Sequence, residues 1–286
     1  MPTTFAETLH AGYAQSMAVA DPPLADERTA FQHVQIFETE AFGRMMVLDG
    51  VVQITERDEA CYSEMLAHPP LFAHGGVKRA MIVGGGDGAI AEEILKHPGV
   101  EQVDLVDIDG RVVELCKEHF AAIHKGVFDD ARLNLKIADA FDHLSLAETA
   151  GRYDLIIADR PDPIGPAEVL FETRFYALMK RALAPGGLVT LQTGAPFFQP
   201  EELTEACRRL GSVFAQSGVY LTVTPSYVGG YMALAWASPD FDFAGVDAGT
   251  IAARFDAARI DTWHYSPALH AASFAPPRWL ETLTRG

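Results

Sequence analysis

Long apolar runs are missing from this sequence, and so is any excess of basic residues. No uninterrupted apolar segment approaches the roughly 20 residues that a membrane-spanning helix needs. The opening MPTTFAETLH has neither the basic start nor the apolar core of a secretory leader. A cytoplasmic location with no membrane partner is therefore expected. Lys and Arg number 22 against 39 Asp and Glu, a formal charge of −17. Phosphate-rich partners need a basic face, so nucleic acid is not an expected partner and a cationic small molecule is. The same charge also serves solubility. Cysteine is scarce: Cys61, Cys116 and Cys207 are odd in number, widely spaced and without a CxxC pair. That argues for a reducing compartment and against a disulfide framework or a zinc site. The ten histidines show no metal-ligand spacing either, so no metal is expected.

What is present is the mix of an ordinary globular protein, with 49% apolar and 21% charged residues over 286 positions. The first third reads as β. Val34–Phe37 is short and extended in character, and Met45–Leu48 and Val51–Ile54 flank Asp49-Gly50, a dipeptide suited to a tight hairpin. These predict a small antiparallel sheet within about the first 55 residues. From Asp58 to Ala73 the period changes to that of a helix, despite Pro69-Pro70.

From Lys78 strands and helices alternate. Strand-like runs are 80–83, 103–106, 133–137, 155–158 and 188–192, and helix-like segments are 90–96, 111–120, 141–148 and 171–183, the last ended by Pro185-Gly186-Gly187. A further helix beyond Glu201 precedes Val219–Val223 and Tyr231–Trp236, joined by Gly229-Gly230 as an antiparallel edge. The predicted fold is α/β: a doubly wound, Rossmann-like sheet over residues 67–286 behind an N-terminal antiparallel β-domain over 1–66.

The loop Gly84-Gly85-Gly86-Asp87-Gly88-Ala89 follows a strand and opens a helix, and Asp107 stands about 20 residues on. Read as G-x-G-x-x-A it fits a dinucleotide fingerprint, but Asp87 would repel the pyrophosphate such a loop receives. A nucleoside bearing a cation suits it better, as in S-adenosylmethionine or its decarboxylated form. Asp107 could chelate a ribose diol, and Asp139-Ala140, after the third strand, lies where an adenine is often held. The fourth strand delivers Asp159-Arg160-Pro161-Asp162-Pro163-Ile164-Gly165-Pro166, two acids three residues apart in a proline-stiffened loop.

With those residues in place, the chain resembles the polyamine aminopropyltransferases, the bacterial spermidine synthases in particular. The resemblance runs through Leu48–Gln53, Thr55–Glu59, Tyr62, Glu64 and His68, then Gly84–Gly88 and Asp162–Pro166. It continues through Leu170-Phe171, Phe175-Tyr176, Gln192 and Pro225-Ser226-Tyr227. It implies a homodimer or larger homo-oligomer that moves an aminopropyl group from decarboxylated S-adenosylmethionine, as co-substrate and without a cofactor, to a small amine, with putrescine giving spermidine. By the family pattern Gln32, Asp107, Asp139, Ala140 and Pro166 would contact the methylthioadenosine part and Asp87 the aminopropyl amine. Asp159 would be the base, with Tyr62, Ser63, Asp162, Gln192 and Tyr227 around the acceptor.

Three positions depart from that pattern. Asp107 replaces a commoner Glu, Ser63 a commoner His that contacts the polyamine, and Arg160-Pro161 small polar residues. Arg160 is expected to face outward, toward a surface acid; facing inward, it would oppose a diamine or recruit a carboxylate. Methyl transfer, a carboxylated substrate, or a non-catalytic nucleoside- or polyamine-binding role remain the alternatives. Trp236, Trp263 and Trp279 are expected to be packing residues, and Cys61 a small buried one.

Overall fold

A computed structural model describes residues 3–160 and 169–284. Six strands build the N-terminal sheet: β1 (Thr3–Glu7), β2 (Gln15–Val19), β3 (Ala25–Arg28), β4 (His33–Thr39), β5 (Gly43–Leu48) and β6 (Val51–Thr55). They pair antiparallel in the order β1-β2-β4-β5-β6, with β3 pairing along the edge of β4 opposite β5, the edge that β2 meets at Thr39. Sequence patterning finds only the last three. β3 reads Ala-Asp-Glu-Arg, and β1 and β2 have mostly exposed or half-buried side chains, so they lack the apolar alternation that marks a strand. The β5–β6 hairpin turns on Asp49 (φ 48°) and Gly50 (φ 85°), positive at both central positions as a type I′ turn requires.

Helix α1 (Ala60–His74) carries the chain into the second sheet's core, where Met65, Leu66, Leu71 and Phe72 are buried. Its two prolines remove the N–H groups that would bond the carbonyls of Met65 and Leu66. The Met65 carbonyl instead accepts from the Tyr220 hydroxyl at 2.9 Å, and that of Leu66 from Thr190 at 3.4 Å. The helix therefore survives them through tertiary partners.

The second sheet is made of β7 (Arg79–Gly84), β8 (Gln102–Asp107), β9 (Leu133–Ile137), β10 (Tyr153–Asp159), β11 (Leu183–Gln192), β12 (Gln216–Val223) and β13 (Tyr231–Ser238), in the order β12-β13-β11-β10-β7-β8-β9. The first five run parallel and the last two close the edge as an antiparallel pair. Helices α2 (Ala89–Leu95), α3 (Gly110–His119), α4 (Ala121–His124), α5 (Ala140–Ser145), α6 (Thr173–Ala182) and α7 (Pro200–Val213) cross between strands. Helices α8 (Ala248–Ala258), α9 (Pro267–Ser273) and α10 (Arg278–Thr284) follow. Pro185-Gly186-Gly187 does not stop α6, which has already ended. It lies inside β11, where the pairing jumps from Tyr153↔Leu183 to Leu155↔Leu188. The chain bulges there, and a Cβ on Gly187 would come within 3.0 Å of the Tyr153 carbonyl.

One apolar core lies on each face of the parallel sheet, and a third joins the two sheets. In that third core Val34, Ile36, Met46 and Ile54 pack on Val112, Leu115, Cys116 and Phe120 from α3 and its C-terminal end. Of the tryptophans only Trp236 is core. Trp263 is 71% exposed and Trp279 41%, contrary to the packing role expected of them. Among the described residues no helix is long and apolar enough to cross a membrane.

Candidate active site

Strand order reverses beside β7: β8 and β9 lie to one side of it, β10 and β11 to the other. Crevices at the C-terminal ends of such a sheet are where open α/β folds bind ligands. A cavity of about 420 Å³ occupies this place and extends to the N-terminal sheet. The glycine loop forms its floor. Register sets Gly84 directly beside Asp159, and a Cβ at Gly84 (φ 77°) would sit 2.0 Å from the Asp159 carbonyl oxygen. Gly86 is held less tightly: its amide donates to Asp107 Oδ2 at 3.0 Å, and a Cβ would meet that side-chain oxygen at 2.7 Å.

Three carboxyls converge at the three strand ends around this loop. Asp87 Oδ1 accepts the Ala89 amide at 2.8 Å at the start of α2. Asp107 accepts, besides Gly86, the Asp109 amide at 2.8 Å. Asp159 Oδ1 accepts the Tyr62 hydroxyl at 2.7 Å. Burial pushes all three pKa values up. Asp87 is raised further by the charge of Asp159, while the Tyr62 hydrogen bond partly restrains Asp159. Asp107 reaches about 6, raised by burial against the lowering effect of the Asp109 and Gly86 amides, with the Asp109 charge adding a smaller rise. Burial likewise holds the Tyr62 phenol well above its usual range, so it stays a donor.

Asp139 lines the cavity and caps α5 by accepting the Phe141 amide at 2.7 Å, with buried Ala140 beside it. Gln32 reaches in from the N-terminal sheet, its amide donating to Asp109 Oδ2 at 2.9 Å. Thr29 donates to the same oxygen at 2.6 Å. The far wall holds Tyr227, whose ring meets that of Tyr62 edge-on at 5.7 Å and whose hydroxyl donates to the Gln53 carbonyl. Buried Asp58 fixes the chain beside Tyr227 by accepting the Ser226 amide at 2.7 Å. Gln192 straps the base of the cavity, donating to the Arg160 carbonyl and accepting the Gly194 amide, each at 2.6 Å.

Two expected residues stand elsewhere. Ser63 is 1% exposed and does not line the cavity; its hydroxyl donates to Glu59 Oε2 at 2.6 Å, and it is Glu59 that faces the cavity. Arg160 turns its guanidinium away from the cavity but not to the surface. It is 2% exposed, lies 3.7 Å over the Phe171 ring, and donates to the Leu170 carbonyl and, at 3.0 Å, to the Tyr176 hydroxyl. Aromatic faces and a carbonyl take the place of the surface acid expected for it, because the strand end at residue 160 points into the core beside α6. Asp162 and Pro166 lie outside the described residues. Sequence reading did not single out Glu7 and Glu59, which also line the cavity. For Glu59 the available signal was its spacing of four from Ser63 at a helix start.

The described side chains so arranged form an acidic, largely apolar-walled cleft that suits a nucleoside carrying positive charge. Buried carboxyls could also suggest a metal. Among the described residues one group has ligand atoms close enough, Glu64, His68 and Glu93, and it lies away from the cavity. Glu64 already accepts the amides of Trp263, His264 and Tyr265, Glu93 pairs with Lys96, and His68 Nδ1 meets His97 at 3.0 Å. This group ties α1 and α2 to the C-terminal segment.

Comparison with known proteins identifies the family. Residues 59–245 match the spermine/spermidine synthase domain, and residues 4–56 match the spermidine synthase tetramerisation domain. The chain belongs to the spermine/spermidine synthase family. It is 45% identical over 277 residues to a polyamine aminopropyltransferase of Ruegeria sp. (strain TM1040), covering 97% of this chain and 96% of that protein. It is 43% identical to polyamine aminopropyltransferase 1 of Pseudomonas aeruginosa, at 96% coverage of both. A spermidine synthase solved with the transition-state analogue AdoDATO superposes with a TM-score of 0.93 at 30% identity, over 99% of this chain and 96% of that one. The Thermotoga maritima spermidine synthase gives 0.91 at 29%, with the same coverage. The enzyme is thus a transferase of the spermidine synthase type, and its match to the tetramerisation domain fits a homo-oligomer.

Proposed function

We propose that the enzyme transfers the aminopropyl group of decarboxylated S-adenosylmethionine to a diamine, putrescine fitting best, and releases methylthioadenosine and spermidine. The observation that carries this reading is the trio Asp87, Asp107 and Asp159, buried around the glycine loop while Arg160, the guanidinium among the cavity residues, is turned into the core. Such a site repels phosphate and is neutralised by ammonium and sulfonium groups. Gln32, Asp107, Asp139 and Ala140 would hold the methylthioadenosine part, with Pro166 from the family pattern. Asp87 would take the aminopropyl ammonium. Tyr62, Gln192 and Tyr227, with Asp162 from the same pattern, would flank the acceptor.

Asp159 would accept a proton from the acceptor's ammonium, freeing the lone pair. The amine nitrogen then bonds to the propyl carbon attached to sulfur, the C–S bond breaks, and its electron pair stays on sulfur as a neutral thioether. The Tyr62 hydroxyl donates to Asp159 Oδ1 and so orients the carboxylate that would take the proton. A carboxylated acceptor recruited by Arg160 is disfavoured, since that side chain is buried over Phe171 and its two terminal nitrogens already donate to Leu170 and Tyr176.

Incubation with decarboxylated or intact S-adenosylmethionine and a panel of amines, read by mass spectrometry, tests the reading. Methylthioadenosine with an amine heavier by one aminopropyl unit is expected. S-adenosylhomocysteine with a methylated product would replace it with methyl transfer, and binding without turnover would favour a regulator.

A further inference from the structure

Glu59 precedes α1 and lines the cavity, yet no step described so far uses it. Its setting is that of an aimed and uncompensated acid. Ser63, one helical turn on and itself buried, donates to Oε2 at 2.6 Å from behind the cavity wall. Among the described residues no cation lies within ion-pair distance of Glu59. Lys96 is held by Glu92 and Glu93, and Lys125 by Glu92. The charges that reach Glu59 are mostly of its own sign, from Glu93 and Asp87, with Lys125 opposing them. Burial above all, against the Ser63 hydrogen bond and with these charges adding to it, pushes Glu59 up to about 7.

An imidazole at position 63 would compete for this space. A serine there, with a short hydroxyl, leaves the Glu59 carboxylate free to face the cleft on the same side as Asp87. Resting on the aminopropyl-transfer reading, we propose that Glu59, positioned by Ser63, receives a primary ammonium group of a bound substrate at the Asp87 side of the cavity. That ammonium belongs either to the donor's aminopropyl arm or to the far end of the acceptor diamine. Methylthioadenosine carries neither and makes no use of Glu59.

The test is Glu59→Gln in the full-length enzyme, which keeps an acceptor for the Ser63 hydroxyl and removes only the charge. Titration calorimetry with decarboxylated S-adenosylmethionine, putrescine and methylthioadenosine is paired with KM for each substrate. Loss of a charge-assisted hydrogen bond should weaken one of the two amine-bearing ligands by about 10-fold or more. Methylthioadenosine binding should stay within about 2-fold, since it makes no such contact. The ligand that weakens identifies the source of the ammonium. Ser63→Ala should raise the same KM by a smaller factor with little change in kcat. Unchanged binding of both amine ligands overturns the proposal. So does an equal loss for methylthioadenosine, which would make Glu59 a support of the whole cavity. If Glu59→Gln does not fold, Glu59→Asp, which withdraws the charge by one methylene, is read in the same way. Calorimetry reads Glu59 without turnover, so an inactive parent enzyme would count against the proposed reaction and not against this assignment.

Discussion

Replacing Asp159 with Asn isolates the proton step, because little else at that position should change. Asn Oδ1 can still accept the Tyr62 hydroxyl, now at 2.7 Å from the aspartate, and the backbone beside Gly84 is untouched. What is lost is a proton acceptor whose pKa is raised by burial toward the working range of a base. An alkylammonium of pKa ~10.4 leaves roughly one amine in a thousand free near pH 7.5. Without Asp159 the reaction must draw on that fraction. The expected loss is therefore about 10²- to 10³-fold in kcat, within the usual range for a general base. That is roughly 3–4 kcal/mol of barrier. Methylthioadenosine has no group for Asp159 to deprotonate, so its dissociation constant should change by no more than about 3-fold, as expected when no charged partner is lost. Steady-state kinetics and calorimetry on the folded variant decide the matter. A kcat within about three-fold of the parent would remove Asp159 from the role of base, since such a base is worth at least 10²-fold.

Methylthioadenosine should bind measurably and NAD should not, and Asp107→Ala should weaken the former in calorimetry; tight NAD binding would return the glycine loop to the dinucleotide reading. Gly84→Ala should destabilise the protein by about 2–5 kcal/mol in urea unfolding, from left-handed strain plus the clash with the Asp159 carbonyl. Arg160→Ser should leave the preference among putrescine, cadaverine, agmatine and spermidine unchanged while lowering the melting temperature, because the guanidinium braces Leu170 and Tyr176; a marked rise in putrescine efficiency would show that it reaches the acceptor. Asp107 and Glu59 have folded pKa values raised to about 6 and about 7, so their protonated forms favour the fold and that stability is lost as pH rises from about 4 through those values. Buried His68, His97 and His270, whose pKa values burial lowers, act in the opposite direction, so the readout is a difference: between pH 5 and pH 8 the ligand-free parent should lose more stability than Glu59→Gln does, and identical pH profiles of the two would contradict the burial of Glu59.

Local chemistry in the sequence determined a good deal about this protein. Period and turn residues were enough for the parallel sheet, its antiparallel edge and the Asp49-Gly50 hairpin, because such elements are specified by neighbours in the chain. The glycine loop and the acids at three strand ends were legible for the same reason: a βα unit places the residue after each strand at one edge of the sheet. Strands β1 to β3 were not, since their residues pack against other strands and carry little pattern of their own. Period already put Pro69 and Pro70 within a helix, but only the tertiary structure supplies what satisfies the carbonyls they orphan, the hydroxyls of Tyr220 and Thr190 from distant strands. It also decided that Arg160 is buried over Phe171, and that Ser63 serves Glu59 and leaves the cavity to it. Spacing along the chain tells which residues share an edge or a helix face. The direction in which a side chain leaves that edge is set by what packs behind it, and those partners come from residues far away in sequence.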